Sequence, residues 1–309
     1  MTTSLNNQAP KPQAGDFNTW STNLQSRMEQ VLDGHLPASN IAPERLHEAM
    51  RYAVLGGGKR IRALLAFASG EFCQADIRAV DIPAAAVELI HAYSLVHDDL
   101  PCMDDDDLRR GKPSTHKRYD EATALLVGDA LQSLAFLLIS QESTLKSASQ
   151  KVQMLHILSL ASGSRGMAGG QAIDLASTGL PLAREELEHM HIHKTGALIR
   201  AAALLGAYSA VDVDKDKIKA VDHFSKAIGL AFQVVDDILD AESDTITLGK
   251  TANKDADNKK STYVTILGLR AAKQLANELN ENAFAALSFY GVEADRLRQI
   301  GHYIMQRSF

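Results

Sequence analysis

The sequence predicts an all-α fold in one domain. Three observations carry this. Long stretches rich in Ala and Leu place apolar residues at helical spacing. No stretch alternates apolar and polar residues with a period of two, so no sheet is expected. Pro and Gly fall mainly between the periodic stretches. Neither a fixed-period repeat nor a linker divides the chain. Several helices are apolar nearly all round, which implies central burial or contact with another subunit.

In chain order, Met1 to Asp16 is polar, holds Pro10, Pro12 and Gly15, and reads as a disordered lead-in. The domain then runs over 17–309. Phe17 to Leu32 is a first helix with Trp20, Leu24, Met28 and Val31 on its buried stripe. Pro37 to Pro43 is a loop, and Pro43 with Glu44 opens a helix to Val54, since proline suits a first turn. Gly56, Gly57 and Gly58 break it, and Ile61 to Phe72 resumes helix. Pro83 starts the helix of Ala84 to Val96, and Pro101 ends its regular part. Ala122 to Ser140 and Val152 to Leu160 are helical, and Gly163, Gly166, Gly169 and Gly170 punctuate the stretch after them. Arg184 to Tyr208, Asp216 to Ala241, Thr262 to Leu279, Ala283 to Leu287 and Asp295 to Gln306 complete the helices.

Composition narrows the function. The net charge of -6 gives no reason to expect nucleic-acid binding. The only cysteines, Cys73 and Cys102, have no CxxC spacing, which suits a reducing cytoplasm and excludes a disulfide scaffold. Cys102 reads as a small apolar filler. No apolar run reaches the roughly 18 residues of a membrane span, and the N-terminus lacks the basic start and apolar core of a signal peptide.

The chemistry concentrates in His91 to Arg110, H-A-Y-S-L-V-H-D-D-L-P-C-M-D-D-D-D-L-R-R. Asp98, Asp99 and Asp104 to Asp107 repel one another, so the cluster calls for cations. Oxygen ligands select Mg²⁺ or Ca²⁺ over soft metals, and Mg²⁺ commonly shares carboxylates with substrate phosphates. Arg109 and Arg110 supply forks suited to phosphate oxygens. Alone, such a run is also compatible with a solvated acidic loop. A second cluster, F-Q-V-V-D-D-I-L-D from Phe232 to Asp240, decides against that. Asp236 and Asp240 share a helical face, with Gln233 one turn earlier. Two acid clusters on separate apolar helices can hold a diphosphate between them through metals. Gly56 to Arg62, G-G-G-K-R-I-R, is the basic counterpart: glycines let a backbone approach an anion, and Lys59 and Arg62 add charge.

These motifs resemble those of the trans-isoprenyl diphosphate synthases. Asp98, Asp99, four residues and Asp104 match the longer form of the first aspartate-rich motif, and Asp236, Asp237 and Asp240 the second. G-D-A-L at Gly128, G-G-Q-A-I-D at Gly169 and H-K-T-G at His193 also fit, and the chain is most similar to bacterial members that make farnesyl diphosphate. The resemblance implies an all-helical fold around a deep central cavity, a homodimer, and about three Mg²⁺ ions held by Asp98, Asp104 and Asp236. It assigns Gly58, Lys59 and Arg62 to isopentenyl diphosphate, and His91 and Arg110 to phosphate binding. Arg109 and Lys250 go to the allylic diphosphate. Lys194, Thr195 and Gln233 go to the allylic carbon, where dipoles steady positive charge. Asp99 joins the catalytic set, and Gln171 and Asp174 are structural or support Lys194 or the metals. The implied reaction ionises an allylic diphosphate, joins it to isopentenyl diphosphate and loses a proton, with water excluded.

Product length has its own reading. The growing tail should run back along the first acid helix, one turn of which is about 5.4 Å. Tyr93, the turn before Asp98, would floor that space. Cys102 stands where farnesyl-forming members usually have alanine, which keeps a geranylgeranyl product open. A terpene cyclase would lack the Gly56 to Arg62 site, and a non-catalytic subunit would have lost acids.

Overall fold

The computed structural model describes residues 16–145, 147–212, 214–246 and 260–306, and the helical expectation holds across them. The proposed lead-in, apart from Asp16, and Lys250 lie outside the described residues. Asp16 caps the first helix, accepting a hydrogen bond from the Thr19 amide at 3.0 Å.

The helices are α1 (Phe17–His35), α2 (Glu44–Val54), α3 (Ile61–Phe72), α4 (Ile77–Asp98), α5 (Thr115–Arg118), α6 (Glu121–Gln141), α7 (Ala148–Ser162), α8 (Met167–Ala176), α9 (Arg184–His191), α10 (Ala197–Tyr208), α11 (Lys215–Ile246), α12 (Tyr263–Leu267), α13 (Leu269–Ala285) and α14 (Asp295–Gln306). On α1, Leu24, Met28 and Leu32 are buried while Trp20 and Val31 are only partly so. The main core joins α1, α3, α4, α6, α7, α10 and α11 through Met28, Leu64, Ile90, Leu131, Met154, Leu205 and Phe224. A smaller cluster of Leu187, Val234, Ile238 and Tyr263 ties α9, α11 and α12 together. Helix α11 therefore runs from one cluster into the other and carries the second acid motif across the join.

The structure corrects several expectations. Helix α4 begins at Ile77, not at Pro83, because Asp76 caps it by accepting from the Arg78 amide at 2.9 Å. A side-chain cap fixes a start more firmly than a proline, which is tolerated within the helix here. The stretch 184–208 contains a wider π turn, Ile192–Gly196. Gly268, at φ 80°, splits the stretch expected to be one helix over 262–279. A two-stranded antiparallel ribbon, β1 (Leu108–Arg109) and β2 (Lys112–Pro113), pairs Leu108 with Pro113 and Arg109 with Lys112. Arg110 and Gly111 turn it with positive φ, the pattern of a tight primed hairpin turn. Strands this short leave no period-two signature. Cys102 is exposed, so it is not core filler.

Among the described residues, two helices, α4 and α6, are long and apolar enough to cross a membrane, contrary to the sequence reading. For α4 the apolar length is explained by the core, where 83% of its most apolar window is buried. For α6 the figure is 39%, and Leu125, Leu126 and Leu137 are exposed on it.

Candidate active site

Helix α4 delivers Asp98 at its last residue, and the chain then folds back on itself. The Asp104 amide donates to the Asp98 carbonyl at 2.8 Å, and the Asp106 amide to the Asp99 carbonyl at 3.1 Å. This packs acidic side chains around one helix end. Arg109, on β1, forks onto buried Asp99, with Nε donating to Oδ1 at 3.0 Å, and reaches Asp106 at 3.2 Å. Asp99 is thereby turned toward an arginine, and Arg109 is engaged by protein carboxylates. Burial pushes the Asp98 carboxyl up to about 6; Lys194 opposes that, while Asp104 and Asp99 add to it.

A cavity of about 380 Å³ opens beside Asp98. Lys194, Thr195 and Gln171 line it near the acids, and Tyr93 and Ser94 line it along α4. Tyr93 is 7% exposed and lies edge-on to His97. Lys194 and Thr195 sit in the π turn, a distortion often found at functional sites. Helix α8 presses against that turn so closely that a Cβ on Gly170 would overlap the Lys194 backbone. This explains a glycine inside α8, and it brings Asp174 of α8 to Lys194 Nζ at 2.5 Å. Lys260, just before α12, also reaches Asp174, at 3.2 Å, and Asp104, at 3.4 Å. Burial alone would raise the Asp174 carboxyl, but Lys194 and Lys260 win and hold it below the usual carboxylate range.

The second motif joins the same network. The Thr195 hydroxyl donates to Gln233 Oε1 at 3.2 Å, and Gln233 Nε2 donates to Asp237 Oδ1 at 3.1 Å. Asp237 Oδ2 in turn accepts from the Tyr263 amide at 2.7 Å, so this acid anchors the start of α12. Asp236, one turn beyond Gln233, is half-buried, and Asp240 is exposed. Gln233 is joined to the cavity wall by Thr195 and is not itself among the residues lining the cavity.

Opposite lies the basic loop. Gly56, Gly57 and Gly58 have φ of 96°, 103° and 118°, which bulkier residues rarely adopt. Arg110 Nη1 donates to the Gly57 carbonyl at 2.7 Å, and a Cβ on Gly58 would meet the Arg110 guanidinium at 3.0 Å. Buried Arg60 anchors the loop, pairing with Glu29 at 2.5 Å and Glu88 at 3.1 Å. Lys59 is exposed, and Arg62 and His91 line the edge of the cavity. Burial, then Arg62 and Arg110, hold His91 well below its ordinary range. Neutral imidazole beside clustered guanidinium groups makes an anion-seeking surface.

Asp98, Asp104, Lys194, Thr195 and Gln233 are thus brought into one network, and Asp236 is one turn beyond Gln233 on α11. The donors are all oxygen, and crowding around Asp98 is what a hard dication relieves, so the residues fit Mg²⁺. Among the described residues, the one acid and histidine group with converging ligand atoms is Asp105 and Asp107, both exposed, with buried His116 of α5. It shares none of the expected ligands. The larger hollow of about 620 Å³ between α7, α10 and α11 holds none of the motif aspartates. Sequence reasoning missed Arg60 and the direct contact of Lys260 with the acids, and gave Asp174 only a supporting part. The G-G-Q-A-I-D stretch was the available signal for Asp174.

Helices carrying two acid motifs around such a cavity form the isoprenoid synthase fold. The chain matches the polyprenyl synthetase family over residues 43–287 and belongs to it. It is 47% identical over 265 residues to farnesyl diphosphate synthase of Escherichia coli K12, covering 84% of this chain and 89% of that one. It is 42% identical over 294 residues to the Haemophilus influenzae farnesyl diphosphate synthase, covering 95% and 99%. A crystal structure of an FPP/GFPP synthase from Zymomonas mobilis, without ligand, superposes with a TM-score of 0.84 at 40% identity, covering 94% and 98%.

Proposed function

We propose that this chain is a farnesyl diphosphate synthase, joining isopentenyl diphosphate to dimethylallyl or geranyl diphosphate with release of diphosphate. The observation that carries this is the cavity that has Asp98, Lys194 and Thr195 at its acid end and Tyr93 along its wall. The Escherichia coli and Haemophilus influenzae relatives are farnesyl diphosphate synthases.

Asp98, Asp104 and Asp236 would hold Mg²⁺, which when bound neutralises the departing diphosphate. The remaining steps belong to side chains. Arg62, His91 and Arg110, with Lys59 and Gly58, bind isopentenyl diphosphate against the glycine loop. Lys250 and, once released from Asp99 and Asp106, Arg109 bind the allylic diphosphate. Lys194 orients the allylic end while Asp174 holds its ammonium. The hydroxyl of Thr195 and the amide of Gln233, hydrogen-bonded to each other, present dipoles to the carbon that becomes cationic. Apolar walls exclude water from that cation. No protein nucleophile is needed.

A cytoplasmic homodimer fits this reading. Leu125, Leu126 and Leu137 on α6 and Val152 on α7 are exposed, and a second copy would cover them. Purified protein incubated with Mg²⁺, isopentenyl diphosphate and geranyl diphosphate should yield farnesyl diphosphate. Asp98→Asn should lower the rate by about 10²-fold or more without unfolding the chain. A geranylgeranyl product would reassign chain length, and no condensation product would sink the reading.

A further inference from the structure

The carboxylate site already contains a cation. Lys260 Nζ lies 3.4 Å from Asp104 and 3.2 Å from Asp174 Oδ2, the oxygen that also receives Lys194. Its side chain is 19% exposed, so this pair is not an ordinary surface contact. Nor is Lys260 placed by chance. The next residue, Ser261, accepts a hydrogen bond from the Leu182 amide at 3.1 Å, Thr262 caps α12, and the Tyr263 amide is fixed to Asp237 at 2.7 Å. Three consecutive residues thus pin the backbone that presents the ammonium, and one of the pins is an aspartate of the second motif.

We propose that Lys260 is an internal counter-ion of the carboxylate site. With no diphosphate bound, its ammonium bridges Asp104 and Asp174 and competes with a divalent cation for Asp104. The cation then binds well only together with a diphosphate, whose negative charge draws the ammonium off the carboxylate. The proposal rests on the reading of Asp104 as a metal ligand. Its physical basis is that a dication on Asp104 would lie close to the Lys260 ammonium, and like charges about 4 Å apart repel strongly at a partly buried site. By linkage, the factor by which diphosphate improves metal binding equals the factor by which metal improves diphosphate binding. Lys260 raises that factor by weakening metal binding in its absence, which keeps the acids from being loaded before substrate arrives.

The test measures Mn²⁺ binding to the full chain from the loss of free Mn²⁺ signal in electron paramagnetic resonance, with and without inorganic pyrophosphate. Lys260→Met should bind Mn²⁺ alone about tenfold more tightly than the parent protein. Lys260→Arg, which keeps the charge, should bind it as weakly as the parent. Lys219→Met, removing an exposed lysine paired with Asp216 at 3.0 Å, should change nothing. If Lys260→Met does not fold, Lys260→Gln carries the same expectation. Unchanged or weaker binding of Mn²⁺ alone overturns the proposal, and so does an equal gain in Lys260→Arg. Absence of Mn²⁺ binding by the parent even with pyrophosphate would instead fault the metal-site reading itself.

Discussion

His191, the last residue of α9, offers a test of how burial prices charge beside the site. Its ring is 7% exposed and stacks on Tyr263 at 5.7 Å, and neither ring nitrogen has a hydrogen-bond partner. Burial, reinforced by Lys194, pushes the imidazole down to about 4. Above about pH 6.5 the ring is neutral in both folded and unfolded chains, and stability does not depend on it. Below that value the unfolded chain takes up a proton that the folded chain refuses until about pH 4. Stability is therefore lost as pH falls through this window, by about 1.4 kcal/mol per unit and about 3 kcal/mol in all. His191→Phe keeps the stacking and removes both unpaired nitrogens. Denaturant unfolding of both proteins at pH 7.5 and pH 5 checks this. The loss of stability between the two pH values should be smaller in the variant by about 2 kcal/mol. Equal losses would mean that the ring is not held neutral in the fold, and the reasoning would be refuted.

Two further outcomes rest on the cavity and its supports. Tyr93→Ala removes the aromatic ring from the cavity wall and should lengthen the products; chromatography of radiolabelled products from isopentenyl diphosphate would show it, and an unchanged length would end the idea of a floor. Arg60→Met leaves Glu88, 2% exposed, buried without its cation. It should cost about 3 to 5 kcal/mol in urea unfolding; a loss below about 1 kcal/mol would show that Glu88 is not a committed ion pair.

Much of the fold was legible because helix signals are local. Ile61–Phe72 and Asp295–Gln306 have the bounds that spacing predicts, and glycines, Gly56 to Gly58 and Gly291, precede them. The start of α4 was misread because a proline was weighed above the Asp76 cap. The ribbon at Leu108 and the π turn at Ile192 were invisible, being too short to leave a period. The acids of both motifs were plain from spacing alone. Which of them stays open was not: Asp99 is closed by Arg109, and Asp237 by Gln233 and Tyr263.

The sequence by itself determined the class of the fold, the two acid helices, the basic glycine loop and the type of ligand their charges require. Periodicity, capping and charge are properties of neighbours along the chain, so they can be read from its letters. Tertiary structure decided which charges neutralise one another. Lys260 meets Asp104 across 156 positions of sequence, and Asp174 receives two ammonium groups, Lys194 through the packing of α8 against the π turn and Lys260 from the segment pinned before α12. Electrostatic energy depends on distance in space and on exclusion of water, and neither is encoded in the separation of residues along the chain.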